Sequence, residues 1–179
     1  MRMMVARTKE DWELAQDLVH EYVTAQTIWA DSESIRSLIS ELPQAFGSPH
    51  GAFFLAFEED RIAGCLGWRK LTDEMVEIQR VYVKPAFRGR GIGRRMLDSL
   101  IEDLRESGYR RIVLETTLSL RPAVALYESL GFQRIPPYKI SEGLDPVSFA
   151  LEFEDNSRRT GQQRSTVPGH AIPPNGKIV

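Results

Sequence analysis

The stretch with the densest chemistry is "FRGRGIGRR", Phe87 to Arg95, which carries three glycines at every second position, four arginines and no acidic residue. A dinucleotide fingerprint needs G-x-G-x-x-G, and Arg94 blocks it; a Walker A loop needs G-K-[ST], which is missing. What remains is anion chemistry of a general kind. Glycines let successive backbone N–H groups turn toward one point. A helix starting near Ile92 to Arg94 adds unpaired amides and a dipole. Such a place suits a phosphate or pyrophosphate, with Lys84, Arg88, Arg90, Arg94 and Arg95 supplying charge around it. The competing reading is a mobile loop of solvated arginines.

An anion site needs a strand to bring the loop in and a helix to lead away from it, and both are legible. "MVEIQRVYVKP" alternates as a strand, with Met75, Glu77, Gln79, Val81 and Val83 on one face and Val76, Ile78, Arg80 and Tyr82 on the other; Pro85 ends it. After the loop, Met96, Leu97, Leu100, Ile101 and Leu104 form a helical stripe closed by Gly108. Upstream, Thr8 caps a helix bearing Trp12, Ala15, Leu18, Val19 and Tyr22. Asp31 caps a second helix with Ile35, Leu38, Ile39 and Leu42, which Pro43 stops. "AFFLAFEEDRIAGCLGWRKL" is a hairpin with an acidic turn at Glu58 to Asp60. Downstream come the strand "RRIVLET", the helix "RPAVALYESLGF" with Pro122 in its first turn, and the strands "FQRI" and "VSFALEF". This order predicts a mixed α/β domain over residues 1–153, centred on a strand–loop–helix–strand crossover. Residues 154–179 lack periodicity and are rich in Gly, Pro, Ser and Gln, which predicts a disordered tail.

Composition narrows the partners. The 179 residues are 42% apolar, enough for one core, and their formal charge is -2. A pI near 6.0 argues against a general nucleic-acid binder. Cys65 is the lone cysteine, which excludes an intrachain disulfide and a cysteine-based zinc site and reads as a small core residue. The charged start has no signal-peptide core and no apolar run approaches membrane length, so the expectation is a cytoplasmic protein with neither membrane nor nucleic acid as partner.

The residues around the loop also resemble a known family. "VYVKPAFRGRGIGRRML" is similar to the coenzyme A loop of the GNAT acyltransferases, written R/Q-x-x-G-x-G/A and filled by Arg88, Gly91 and Gly93. The "VYVKP" before it resembles that family's fourth strand, and "AVALYESLGF" its second signature, a helix carrying Tyr before L-G-F. The resemblance implies the GNAT fold, a mixed and mostly antiparallel sheet flanked by helices, and an N-acetyltransferase that moves the acetyl group of acetyl-CoA to a primary amine by direct attack, without a metal. It implies that the Val81, Tyr82 and Val83 strand segment meets the pantetheine arm, with Val81 and Val83 main-chain groups pairing to it. Arg88, Gly89, Arg90, Gly91, Ile92, Gly93 and Arg94 would hold the pyrophosphate. A bulge would splay strands four and five, leaving Glu115 to Thr117 on the far side, and the N–H near Val81 would face the developing oxyanion.

On the same resemblance, Tyr127 is the general acid beside the sulfur and Glu77 the general base, its pKa raised by burial. Glu115 and a water chain are the rival bases. One position departs from the pattern: relatives often place Asn seven residues before the signature Tyr, and this chain has Leu120. His20 and His50 read as surface residues. Acceptor choice would fall to Tyr22, Trp29, Phe46, Trp68 and "PPYKISEGLDP", which point to no particular amine. Two other classes stay open: a catalytically silent GNAT-fold module that senses acyl-CoA, and a nucleic-acid binder using the loop arginines. A homodimer is left open as well.

Overall fold

The computed structural model of the chain describes residues 1–25, 32–140 and 145–153. The proposed tail, Asp31 and Trp29 therefore lie outside the described residues. The first helix, α1 (Lys9–Ala25), starts as the sequence predicts. Thr8 Oγ1 accepts from the Asp11 amide at 3.2 Å, and Asp11 returns the bond by accepting from the amides of Thr8 and Arg7. Next come α2 (Ser32–Ser40) and α3 (Leu42–Phe46), and here one expectation is corrected. Pro43 does not stop a helix. It sits in the first turn of α3, where its missing N–H has no partner to lose.

Seven strands form one sheet among the described residues: β1 (Arg2–Val5), β2 (Gly51–Glu58), β3 (Arg61–Lys70), β4 (Met75–Val83), β5 (Arg111–Thr117), β6 (Gln133–Ile135) and β7 (Pro146–Glu152). Their order is β1-β2-β3-β4-β5-β7-β6. Every neighbouring pair is antiparallel except β4 and β5, which are joined in parallel through α4 (Ile92–Glu106). The β2–β3 hairpin turns at Glu59 and Asp60, both left-handed at φ 50° and 61°, as a two-residue turn between twisted strands requires. Strand β1 escapes the sequence reading because four residues are too few to show a period. The last helix, α5 (Arg121–Ser129), precedes β6.

The core lies on both faces of the sheet. On one face Ile92, Met96, Leu97, Leu100, Leu104, Val124 and Tyr127 from α4 and α5 pack on Val76, Ile78, Ile112, Leu114 and Phe149. On the other, Ala15, Leu18, Val19 and Val23 of α1, with Leu42 and Phe46 of α3, cover Phe53, Leu55, Cys65 and Tyr82. The two helical layers grip the sheet from opposite sides, and the site forms where that sheet is interrupted.

Candidate active site

The interruption begins in β4. Against β3 its register runs Trp68↔Ile78 and Gly67↔Gln79, then slips, resuming at Cys65↔Tyr82 and Gly64↔Val83. Leu66 of β3 thus faces two residues, Arg80 and Val81, and Arg80 takes a left-handed φ of 56°. This is a β-bulge. It corrects the strict alternation expected for this strand, because an extra residue reverses every side chain beyond it. Val81 and Val83 join Val76 and Ile78 on the α4 face, while Tyr82 turns to the α1 face that Glu77 also occupies.

The same bulge opens the sheet. β4 and β5 pair only from Met75↔Arg111 to Ile78↔Leu114. β5 goes on pairing with β7 as far as Thr117↔Pro146. Past Ile78, then, a wedge separates Gln79–Val83 from Glu115–Thr117. The Lys84 amide bonds the Ala63 carbonyl of β3 at 2.9 Å, so by alternation the main-chain groups of Val83 and Val81 point into the wedge. The Val83 carbonyl accepts from Arg88 Nε at 3.0 Å.

At the mouth of the wedge the loop does what its glycines predict. Gly89 and Gly91 have φ of 74° and 71°, and Gly91 is the N-cap of α4. No side chain caps this helix. Among the described residues, the first amide after Arg88 to find a backbone acceptor is Arg95, which bonds Gly91 O at 3.0 Å. Gly93 has a different reason: a Cβ there would sit 3.4 Å from Leu126 and 3.6 Å from Val83, so its smallness lets α4 lie close to α5 and β4. The expected charges divide. Arg95 pairs with Glu58 at 3.3 Å and Lys84 with Glu21 at 2.7 Å. Arg94 bonds the Ser129 hydroxyl. Arg88 and Arg90 lie over the Tyr82 and Phe87 rings. Arg88, Arg90 and Arg94 form no ion pair at salt-bridge distance among the described residues, although the charge of Arg88 is felt by Glu21.

Tyr127 projects from α5 into the core, its ring set against Phe132 and Phe149 at centroid distances of 5.9 and 6.1 Å. It is 6% exposed, and burial, with the nearby Tyr22 hydroxyl, pushes its phenol well above the ordinary range. The proton therefore stays on the oxygen throughout neutral pH. Leu120 stands at the N-cap of α5 and supplies no capping bond.

Glu77 is fully buried, as its apolar strand predicts, but its company was not legible. Oε2 accepts from Arg69 Nε at 2.8 Å and Gln79 Nε2 at 2.7 Å. Oε1 accepts from Tyr138 Oη at 2.7 Å and Lys139 Nζ at 2.6 Å. Burial pushes this carboxyl up, yet Lys139, Tyr138 and Arg69 outweigh it and hold the group below its usual value. The expected upward shift is thus corrected: four donors stabilise the anion more than desolvation penalises it. Lys139 also lies 3.9 Å from Glu115 Oε1, joining the two carboxylates that the sequence set against each other.

The other forecast positions scatter. Tyr22 stacks at 5.6 Å on Tyr82, whose hydroxyl donates to Glu21 at 2.8 Å. Burial and that bond push the Tyr82 phenol up to about 12. Phe46 is core, 5.4 Å from Phe53. Trp68 packs on the α4 side of the sheet and meets Tyr109. His20 is exposed beside Asp17 and Arg36 in a shallow cleft between α1 and α2, and His50 is an exposed turn residue. Cys65 is buried under the bulge, its Sγ 3.6 Å from the Arg80 carbonyl, and burial pushes its thiol far up. Among the described residues no cluster of three or more His, Cys, Asp or Glu could hold a metal, and no helix is long and apolar enough to cross a membrane.

A mixed sheet split between its one parallel pair, with a glycine-rich helix start at the opening, defines the acyl-CoA N-acyltransferase class of fold. Solved structures agree. An acetyltransferase of the GNAT family from Staphylococcus aureus Mu50 superposes with a TM-score of 0.71 at 19% identity, over 85% of this chain and 99% of that one. A Bacillus subtilis acetyltransferase in complex with CoA gives 0.62 at 20% identity, over 86% and 99%. In sequence, the uncharacterised N-acetyltransferase YsnE of Bacillus subtilis is 34% identical over 133 residues, 73% of this chain and 85% of the relative. YjgM of Escherichia coli, also an uncharacterised N-acetyltransferase, is 37% identical over 100 residues, 54% of this chain and 60% of the relative. The model of the acetyltransferase (GNAT) family matches residues 12–132. The chain belongs to the GNAT acetyltransferase family.

Proposed function

We propose that the protein transfers an acetyl group from acetyl-CoA to a primary amine by direct attack. The observation that carries this reading is the wedge between β4 and β5 opening beside an uncapped helix N-terminus, with three arginines that make no salt bridge among the described residues. Those amides, with Arg88, Arg90 and Arg94, suit the pyrophosphate. Val81 and Val83 suit the pantetheine amides, and Tyr82 contributes only the strand between them. The solved Bacillus subtilis relative with CoA supports the same ligand.

Acetyl-CoA supplies the thioester: the amine nitrogen bonds its carbonyl carbon, the C–S bond breaks, and the sulfur leaves as a thiolate. The Val81 N–H, facing the wedge, would stabilise negative charge on the carbonyl oxygen. Tyr127 donates to the departing sulfur. A thiol pKa of about 8.5 lies below that of a buried phenol, so Tyr127 acts mainly by hydrogen bonding. On the amine side, Glu77 is saturated by donors and serves to hold the Tyr138–Lys139 segment against the sheet. Glu115 stands on β5 just past the last residue paired to β4 and is our choice for taking the ammonium proton.

The test is a melting curve with and without acetyl-CoA, on the wild type, Gly91→Glu and the unstrained Arg90→Glu. At 100 times its Kd a ligand specific to the native state adds about 2.7 kcal/mol, and both variants should lose most of that gain. A folded wild type that acetyl-CoA leaves unmoved refutes the reading. Binding without release of CoA across an amine panel would favour a sensor over an enzyme.

A further inference from the structure

We propose that the amine acceptor also carries a single carboxylate, held by Arg80 at the β4 bulge. The inference rests on the acetyltransferase reading and names the substrate class of that site.

Arg80 is an anomaly of charge. Its side chain is half-buried, and its Nε is sealed from solvent with no acceptor among the described residues. The groups around it, Tyr22, Glu77, Arg69 and Cys65, belong to the α1 face of the sheet. That is the face opposite the α4 and α5 layer, and so the side from which an acceptor would meet the thioester. Burial lowers the guanidinium's pKa, yet arginine stays charged in a protein. Glu77, whose charge reaches it, does not bond it: both its oxygens accept from Arg69, Gln79, Tyr138 and Lys139. A buried donor left without an acceptor costs stability, and here it stands on a backbone held at a left-handed φ of 56°. A bound anion would resolve the anomaly.

The count of charges selects the anion. Arg69 and Lys139 are committed to Glu77. Of these three cations on the described part of the α1 face, only the Arg80 guanidinium remains, which matches a monoanion with two oxygens, and guanidinium and carboxylate pair through two parallel bonds. A phosphomonoester would bring a second charge, and among the described residues around Arg80 the other cations, Arg69 and Lys139, are already paired. The bulge stands two residues past Ile78, where β4 leaves β5, so a carboxylate on Arg80 brings an amine of the same small molecule to the wedge. The acceptor class is therefore an amino acid.

The experiment measures CoA release from acetyl-CoA with the common α-amino acids, β-alanine and γ-aminobutyrate, each beside its carboxamide, for wild type, Arg80→Gln, Arg80→Lys and Arg80→Met. At least one acid should be acetylated with kcat/KM about tenfold or more above its amide, since charge-assisted pairs are the strong ones. In Arg80→Gln that preference should collapse, mainly through KM, and Arg80→Lys should restore part of it. Arg80→Met should melt no lower than wild type, because it removes an unpaired charge; a merely structural arginine would lower it. Amides used as well as acids, equal losses for both in Arg80→Gln, or no acid acetylated by a protein that acetyl-CoA stabilises would each overturn the proposal while leaving the cofactor reading intact. A protein that acetyl-CoA does not stabilise would remove both.

Discussion

At the scale of single residues, Tyr127 separates chemistry from packing. No hydrogen bond to its hydroxyl is formed among the described residues, and its ring contacts with Phe132 and Phe149 survive in phenylalanine. Tyr127→Phe should therefore melt within a degree or two of wild type while losing about a hundredfold in kcat, the usual scale for a missing acid. Unchanged turnover would remove Tyr127 from the mechanism. Its position was legible because a motif fixed it. The partners of Glu77 were not: Tyr138 and Lys139 are 61 and 62 residues away in sequence, and a carboxylate's donors come from wherever the chain returns. Burial alone predicts a raised pKa, and only the donors reverse the sign.

Among elements, β4 decides the site, and its limit of legibility is equally physical. Alternation in "MVEIQRVYV" reads correctly up to Gln79, because the pleat has period two there. The bulge adds one residue without any glycine to announce it, so Val81, Tyr82 and Val83 exchange faces. Strand and bulge also constrain β3. A Cβ on Gly64 would lie 2.2 Å from the Tyr82 carbonyl, against rigid backbone. Gly64→Ala must move β4 where it lines the wedge, and should cost about 1–3 kcal/mol, the range for overpacking, together with a weaker stabilisation by acetyl-CoA. An alanine variant with wild-type melting and ligand response would show that β4 yields freely there. The start of α4, by contrast, was readable, since left-handed turns select glycine locally; the pairing of Lys84 and Arg95 with distant carboxylates was not.

Across the whole molecule, acid stability should carry the mark of Glu77. Its proton affinity is lower folded than unfolded, so its contribution is complete above the unfolded value near 4.5 and is lost as pH falls through the lower folded value. At neutral pH Glu77→Gln should cost about 2 kcal/mol, less than a fully buried pair because Arg69 and Lys139 are partly solvated. Melting curves of the two proteins should converge as pH drops below about 4.5, and a gap independent of pH would show that charge is not what Glu77 provides. The layered architecture came from element order, while the burial of Cys65 beneath the bulge gives the molecule something else: its lone thiol is a built-in clock. A thiol reagent that counts released CoA meets no competing signal from the native chain. The slow rate at which that reagent eventually finds Cys65 records how often the strand above it lifts, with or without a ligand in the wedge.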